Sequence, residues 1–127
     1  MEANANALNW FEIPVTDMDR AQKFYEGIFD TKMILNTDMG MPLVLFPIDM
    51  NSGKVGGALV KNDDHQPGET GVLIYLNANP DIQGVIDRVE EFGGKVTIPR
   101  TDIGQEMGFM ACFTDTEGNR LGLHADN

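Results

Sequence analysis

The chain has 127 residues and sets 9 Lys and Arg against 20 Asp and Glu, a formal net charge of −11. That length suits one compact domain, and a composition of 42% hydrophobic and 23% charged residues belongs to globular chains, not disordered ones. Nucleic-acid affinity comes mostly from Lys and Arg neutralising phosphates, so the acidic surplus argues against DNA, RNA and anionic membranes as partners.

Asn9 to Val15 alternates aromatic and branched residues with period two and reads as a strand. Thr16 or Asp17 then offers a helix N-cap, with Asp19 in the first turn, and apolar residues at three- and four-residue steps carry the helix to about Phe29. Lys32 to Asn36 and Pro42 to Asp49 are the next strands, and Val55 to Lys61 follows after an Asn51-Ser52-Gly53 turn. Asn62 to Glu69 is polar, contains Pro67 and Gly68, and reads as a linker.

Beyond the linker the same order returns. Gly71 to Asn77 is a strand, and Pro80 to Phe92 a helix with Pro80 near its first turn and Gly93-Gly94 as its stop. Lys95 to Pro99, Gly108 to Thr114 and Asn119 to His124 are strands, the last two joined by a turn at Asp115-Thr116-Glu117-Gly118. The order is echoed in the letters: Thr37-Asp38-Met39-Gly40 recurs as Thr101-Asp102-Ile103-Gly104, an offset of 101 − 37 = 64. That offset also carries Met18, Ala21, Tyr25 and Ile28 onto Ile82, Val85, Val89 and Phe92, and Leu59 onto Leu123. The chain is therefore read as a duplicated βαβββ unit, with the first copy at 8–61, the linker at 62–70 and the second copy at 71–124.

Duplicated units of this order, together with Trp10 to Ala21, Phe24-Tyr25, Gly56-Gly57-Ala58-Leu59, Gly93-Gly94-Lys95 and Asp115 to His124, resemble the vicinal oxygen chelate superfamily of glyoxalases, bleomycin-resistance proteins and extradiol dioxygenases. The resemblance implies an α+β fold in which two tandem βαβββ units form a cup-shaped mixed sheet with the helices outside. It also implies a small-molecule ligand in the cup and the option of a homodimer. Metal-dependent members place His, Gln or Glu at four cup positions, which the resemblance assigns here to Trp10, Ala58, Val72 and Gly122. None is a donor, so no metal or other cofactor is expected.

Strand alternation selects further candidates. Trp10, Glu12 and Pro14 share one face of their strand, and Phe11, Ile13 and Val15 the apolar face that suits helix packing. Glu12 thus falls in the cup, as do Arg120, Gly122 and His124, whereas Leu121 and Leu123 turn to the helices. A carboxylate amid an apolar strand is costly unless hydrated, paired or useful, which makes Glu12 the candidate general base and His124 its catalytic partner, with Arg120 an alternative for steadying an enolate-like oxygen. Trp10, Val60 and Ile74, with some of Met107, Phe109, Met110 and Phe113, are candidates to line the ligand. His65 is read as an exposed linker residue and Cys112 as a buried structural thiol.

Function follows at three levels. The favoured expectation is a glyoxalase-like protein binding a small molecule in the cup, acting as a metal-independent lyase or isomerase on a carbonyl compound. The alternatives are a non-catalytic drug- or metabolite-binding protein and, weakest, a metal-dependent lyase or dioxygenase. With no apolar run near the roughly 18 residues of a membrane helix, one cysteine, and no basic and apolar leader at Met1 to Leu8, the expected compartment is the cytoplasm.

Overall fold

A computed structural model describes residues 1–38 and 40–127, and Met39 of the recurring tetrapeptide lies outside the described residues. The elements run β1 (Trp10–Pro14), α1 (Met18–Phe29), β2 (Ile34–Asn36), β3 (Leu43–Leu45), β4 (Gly56–Val60), β5 (Tyr75–Asn77), α2 (Ile82–Glu91), β6 (Lys95–Asp102), β7 (Phe109–Thr114) and β8 (Arg120–Ala125). This is the expected order, with β3 and β5 shorter than their apolar runs. Asp17 caps α1 by accepting from the Arg20 N–H at 3.0 Å, and Asp81 caps α2 by accepting from the Gln83 N–H at 3.1 Å. Pro80 therefore precedes the cap instead of entering the helix.

The strands divide into two four-stranded sheets, ordered β1-β4-β3-β2 and β5-β8-β7-β6. In each, the first strand lies parallel to the last and the remaining pairs are antiparallel. The crossover after the first strand needs a helix to return the chain parallel to itself, and that helix must cover one sheet face. Ala21, Phe24, Tyr25 and Ile28 form the buried stripe of α1, and Ile82, Val85, Ile86 and Val89 that of α2. These stripes join Ile13, Val15, Leu59, Phe113, Leu121 and Leu123 in one core that spans both units. Helix α1 packs on α2, and the Arg88 Nε–H donates to the Ile28 carbonyl across that contact at 2.8 Å.

A second tie between the units comes from the β7–β8 turn. The buried Asp115 carboxylate accepts from the Tyr25 hydroxyl at 2.6 Å, from the N–H groups of Glu117 and Asn119 at 2.9 Å each, and from Asn119 Nδ2 at 3.0 Å. Asn119 Nδ2 also donates to the Pro14 carbonyl at 2.7 Å, and Asn119 Oδ1 accepts from the Gly68 N–H at 3.1 Å, drawing the linker onto β8. A turn legible only as a hairpin connection thus clasps β1, α1 and the linker.

Gly57 is required by close approach. A Cβ there would lie 2.4 Å from the Phe11 ring, which packs on Phe46 with centroids 5.5 Å apart. Gly57→Ala is expected to cost about 1–3 kcal/mol in denaturant unfolding, because the ring has packed neighbours and must shift. Gly122→Ala meets the Tyr75 ring at the same 2.4 Å, but that ring is half exposed and can swing into solvent, so a cost below about 1 kcal/mol is expected.

Candidate functional site

On the face of the first sheet away from the helices stand Trp10, Glu12 and Pro14, opposite Gly56, Ala58 and Val60. Glu12 is exposed, and its Oε2 accepts from the Trp10 indole N–H at 3.4 Å. Val60 is fully buried in a small cluster with Leu43 and Ala58, against Trp10 and Leu45. It packs the sheet and borders neither of the two cavities described below.

The second sheet departs from the expected register. Tyr75 pairs with Gly122 just as Glu12 pairs with Ala58, so the first strands are offset by 75 − 12 = 63, while Ala58 and Gly122 differ by 122 − 58 = 64. The additional residue falls between β5 and α2, around Asn79-Pro80. A slip of one residue turns every side chain of a strand to its opposite face. Ile74 accordingly leans on the main core, half-buried, and borders the cavities described below from that side, while Tyr75 takes the place corresponding to Glu12. Val72 precedes the strand and is 89% exposed.

Strand β8 follows the expected alternation. Leu121 and Leu123 enter the core, while Arg120, Gly122 and His124 share the other face with Thr114, Cys112 and Met110 of β7. Phe109 and Phe113 belong to the core face and border neither of the two cavities described below. Cys112 is buried, with its Sγ 3.9 Å from Arg120 Nη2. His124 Nε2 sits 2.8 Å from the Met107 carbonyl oxygen and so holds the β6–β7 loop, outside either cavity described below.

One cavity, of about 470 Å³, gathers Glu12, Pro14, Ile74 and Arg120 with His65, Gln66, Thr70, Val72 and Asn119. Of the candidates named from the sequence, Glu12, Ile74 and Arg120 meet here, whereas Trp10, Val60 and His124 do not line it. His65 is the residue that sequence reasoning set aside. It is exposed, but the Asn62–His65 bridge and the Gly68–Asn119 hydrogen bond fold the linker back over β8. The available sequence signal was two side chains rich in hydrogen-bonding atoms, His65 and Gln66, in a short connection between units. A larger cleft, of about 710 Å³, opens between the far end of the first unit and β5.

The four positions assigned to metal ligands carry no ligating side chain. Trp10 and Ala58 present indole and methyl groups, Val72 an isopropyl group in solvent, and the space beside Gly122 is taken by the Tyr75 ring. Among the described residues, no group of three or more His, Cys, Asp or Glu side chains is close enough to hold an ion. This donor set does not fit the metal that the family resemblance implies.

The strongest perturbed acid lies outside these cavities. Burial pushes the Glu117 carboxyl up, but hydrogen bonds from Arg20, Asp17, Thr16 and Thr116 outweigh it and hold the group at about 2. Tyr25 is pushed well above its ordinary value, first by burial and then by the Asp115 charge. Both belong to the clasp between units, a structural origin for shifts that elsewhere mark catalysis.

Known proteins share this arrangement. A glyoxylase-like domain-containing protein of Didymella fabae is 28% identical over 114 residues, 88% of each chain. The CFP32 protein of Mycobacterium tuberculosis (strain CDC 1551 / Oshkosh) is 29% identical over 119 residues, 94% of this chain but 45% of its own, so the chain spans about half the length of that relative. The crystal structure of a glyoxalase/bleomycin resistance protein from Albidiferax ferrireducens T118 superposes with a TM-score of 0.71 at 15% identity, covering 93% of this chain and 98% of that one. TnmS3, an antibiotic binding protein from Streptomyces sp. CB03234, does so at 0.63 with 23% identity and 98% coverage of both. At these identities the structural likenesses establish the fold. Duplicated units, paired sheets and a sequence profile matching residues 7–123 converge on one assignment: the chain belongs to the Glyoxalase/Bleomycin resistance protein/Dioxygenase superfamily.

Proposed function

We propose that this protein binds a small polar molecule, without a metal ion, in the cavity bordered by Glu12, His65 and Arg120. The observation that carries the reading is that a glutamate, a histidine and an arginine, from β1, the linker and β8, line one cavity of about 470 Å³. Ligand sites are typically concave and mostly apolar, with a few placed polar groups; Pro14, Val72 and Ile74 supply the apolar wall here. Arg120 suits a carbonyl or carboxylate oxygen and Glu12 a cationic or hydrogen-bond-donating group. The net charge of −11 further favours a ligand with a cationic end. The fold shared with an antibiotic binding protein supports binding as a sufficient role.

The test is a thermal-shift screen of small carbonyl compounds and cationic metabolites, followed by calorimetry on the strongest compound. A stabilising ligand should lose roughly 10- to 100-fold in affinity in Arg120→Ala and in Glu12→Gln, the scale of one hydrogen bond to a charged group. Unchanged affinity in both variants would refute the assignment.

A second reading rests on Glu12 and Arg120 facing the same space: Glu12 removes a proton next to a carbonyl and Arg120 stabilises the resulting oxyanion. The protein is then a metal-independent lyase or isomerase, and Arg120 holds the role considered for His124, whose ring nitrogen is engaged by Met107. Binding retained with turnover abolished in Glu12→Gln would identify this case. Pairing of two copies belongs to the same proposal, through the exposed Val72 and Tyr75. So does a cytoplasmic location; among the described residues no helix is long and apolar enough to cross a membrane.

A further inference from the structure

The larger cleft is distinct in chemistry from the cavity of Glu12 and Arg120. Its walls are Phe11, Phe29, Phe46, Val55, Leu73 and Tyr75, and its bordering polar side chains are Thr31, Asn77 and Asn79. A chain with 20 acidic residues places no ionisable carboxylate or basic side chain along this lining. Phe46 is the hub of the aromatic wall, 5.5 Å from the Phe11 centroid and 6.5 Å from that of Phe29. The volume of about 710 Å³ is within the range of sites that take molecules of drug size.

The carboxamides at the rim have defined orientations. Asn77 Oδ1 accepts from the Asn79 N–H at 2.9 Å, and Asn79 Oδ1 accepts from the Asp126 N–H at 2.8 Å. Each oxygen is thereby engaged by a backbone N–H, so the NH₂ groups are the part of these exposed carboxamides available to donate to a bound molecule. We propose that this cleft is a second binding site, for a neutral fused aromatic compound bearing a carbonyl acceptor, with the rings against Phe11 and Phe46 and the acceptor toward Asn77 and Asn79. An anionic ligand would meet no cation here, and a cationic one no carboxylate; a neutral aromatic body matches the lining on both counts.

Phe11 and Ile74 border both cavities, so the two sites share a wall yet differ in every charged residue. The proposal is independent of the function assigned to the smaller cavity, and variants can separate them. The probe is 7-diethylamino-4-methylcoumarin, a neutral fluorescent bicycle with a lactone carbonyl, titrated against the whole protein while its emission is followed. Saturable one-site binding is expected, weakened at least tenfold by Leu73→Trp and by Thr31→Trp, which fill the cleft from different segments. Asn77→Asp keeps the oxygen that holds the Asn79 N–H but removes the donor, and should also weaken binding about tenfold. Arg120→Ala and Glu12→Gln should leave it within about twofold. No saturable binding, unchanged binding in both tryptophan variants, or loss in Arg120→Ala overturns the proposal. Melting curves establish that each variant is folded, and Thr31→Trp decides the matter if Leu73→Trp is not.

Discussion

Asp115→Ala is expected to lower the unfolding free energy by about 3–5 kcal/mol, a large part of the roughly 5–15 kcal/mol available to a domain. The carboxylate is buried and takes four hydrogen bonds, from the Tyr25 hydroxyl, two backbone N–H groups and Asn119 Nδ2. Removing it orphans those donors, including a hydroxyl with no route to water because Tyr25 is fully buried. In a thermal melt the loss should appear as a fall of roughly 10–20 °C. Tyr25→Phe is the informative comparison: it deletes one donor, leaves the carboxylate three others, and should cost only about 1–2 kcal/mol. If the two variants proved equally stable, the clasp would not hold the units together.

Glu117→Gln should show its effect through pH. The Glu117 side chain is inaccessible; Oε1 accepts from the Thr16 and Asp17 N–H groups at 2.8 Å each, and Oε2 from Arg20 Nε at 2.7 Å. These bonds favour the charged form and depress the carboxyl from 4.5 to about 2. A depressed acid stabilises the fold above its unfolded value, and that stability disappears as pH falls from about 4.5 to about 2. Taken at face value the shift corresponds to about 3 kcal/mol, but the Arg20 partner is half exposed and screened, which leaves an expected share of about 1–2 kcal/mol. Urea unfolding of Glu117→Gln should therefore show that deficit at pH 7 and converge on the parent chain near pH 2. A constant deficit across this range would show that the charge is not what matters.

The elements of this fold were legible because they depend on local chemistry. The stripes Ala21-Phe24-Tyr25-Ile28 and Ile82-Val85-Ile86-Val89 have helical spacing, and Asp17 precedes the first stripe as a capping residue should. Alternation along β1 and β8 also assigned Glu12, Arg120 and His124 to one side of their sheets, because period-two geometry is intrinsic to a strand. Strand β5 was misread for want of that pattern. Val72 to Leu76 is an unbroken apolar run with no alternation to set its faces, only Tyr75 to Asn77 enter the ladder, and an offset correct for α2 and β8 is one residue wrong for β5. That single step turned Ile74 toward the core, where it stays half-buried at the edge of both cavities, and put Tyr75 beside Gly122.

Sequence alone determined that this acidic chain carries a duplicated βαβββ order, since composition, caps and periodicities act over a few residues and survive in the order of letters; the glyoxalase-like kinship came from resemblance of its motifs to that family. Only the tertiary structure decided which side chains share a cavity. His65 and Arg120 stand 55 positions apart, 120 − 65, and meet Glu12 because the Asn119 carboxamide fastens the linker to β8. His124 lies on the same strand as Arg120 and Leu121, which line the cavity, but spends its ring nitrogen on the Met107 carbonyl. Contacts of this kind are set by how two sheets and two helices exclude water from a common core, a balance summed over the whole chain that no local pattern encodes.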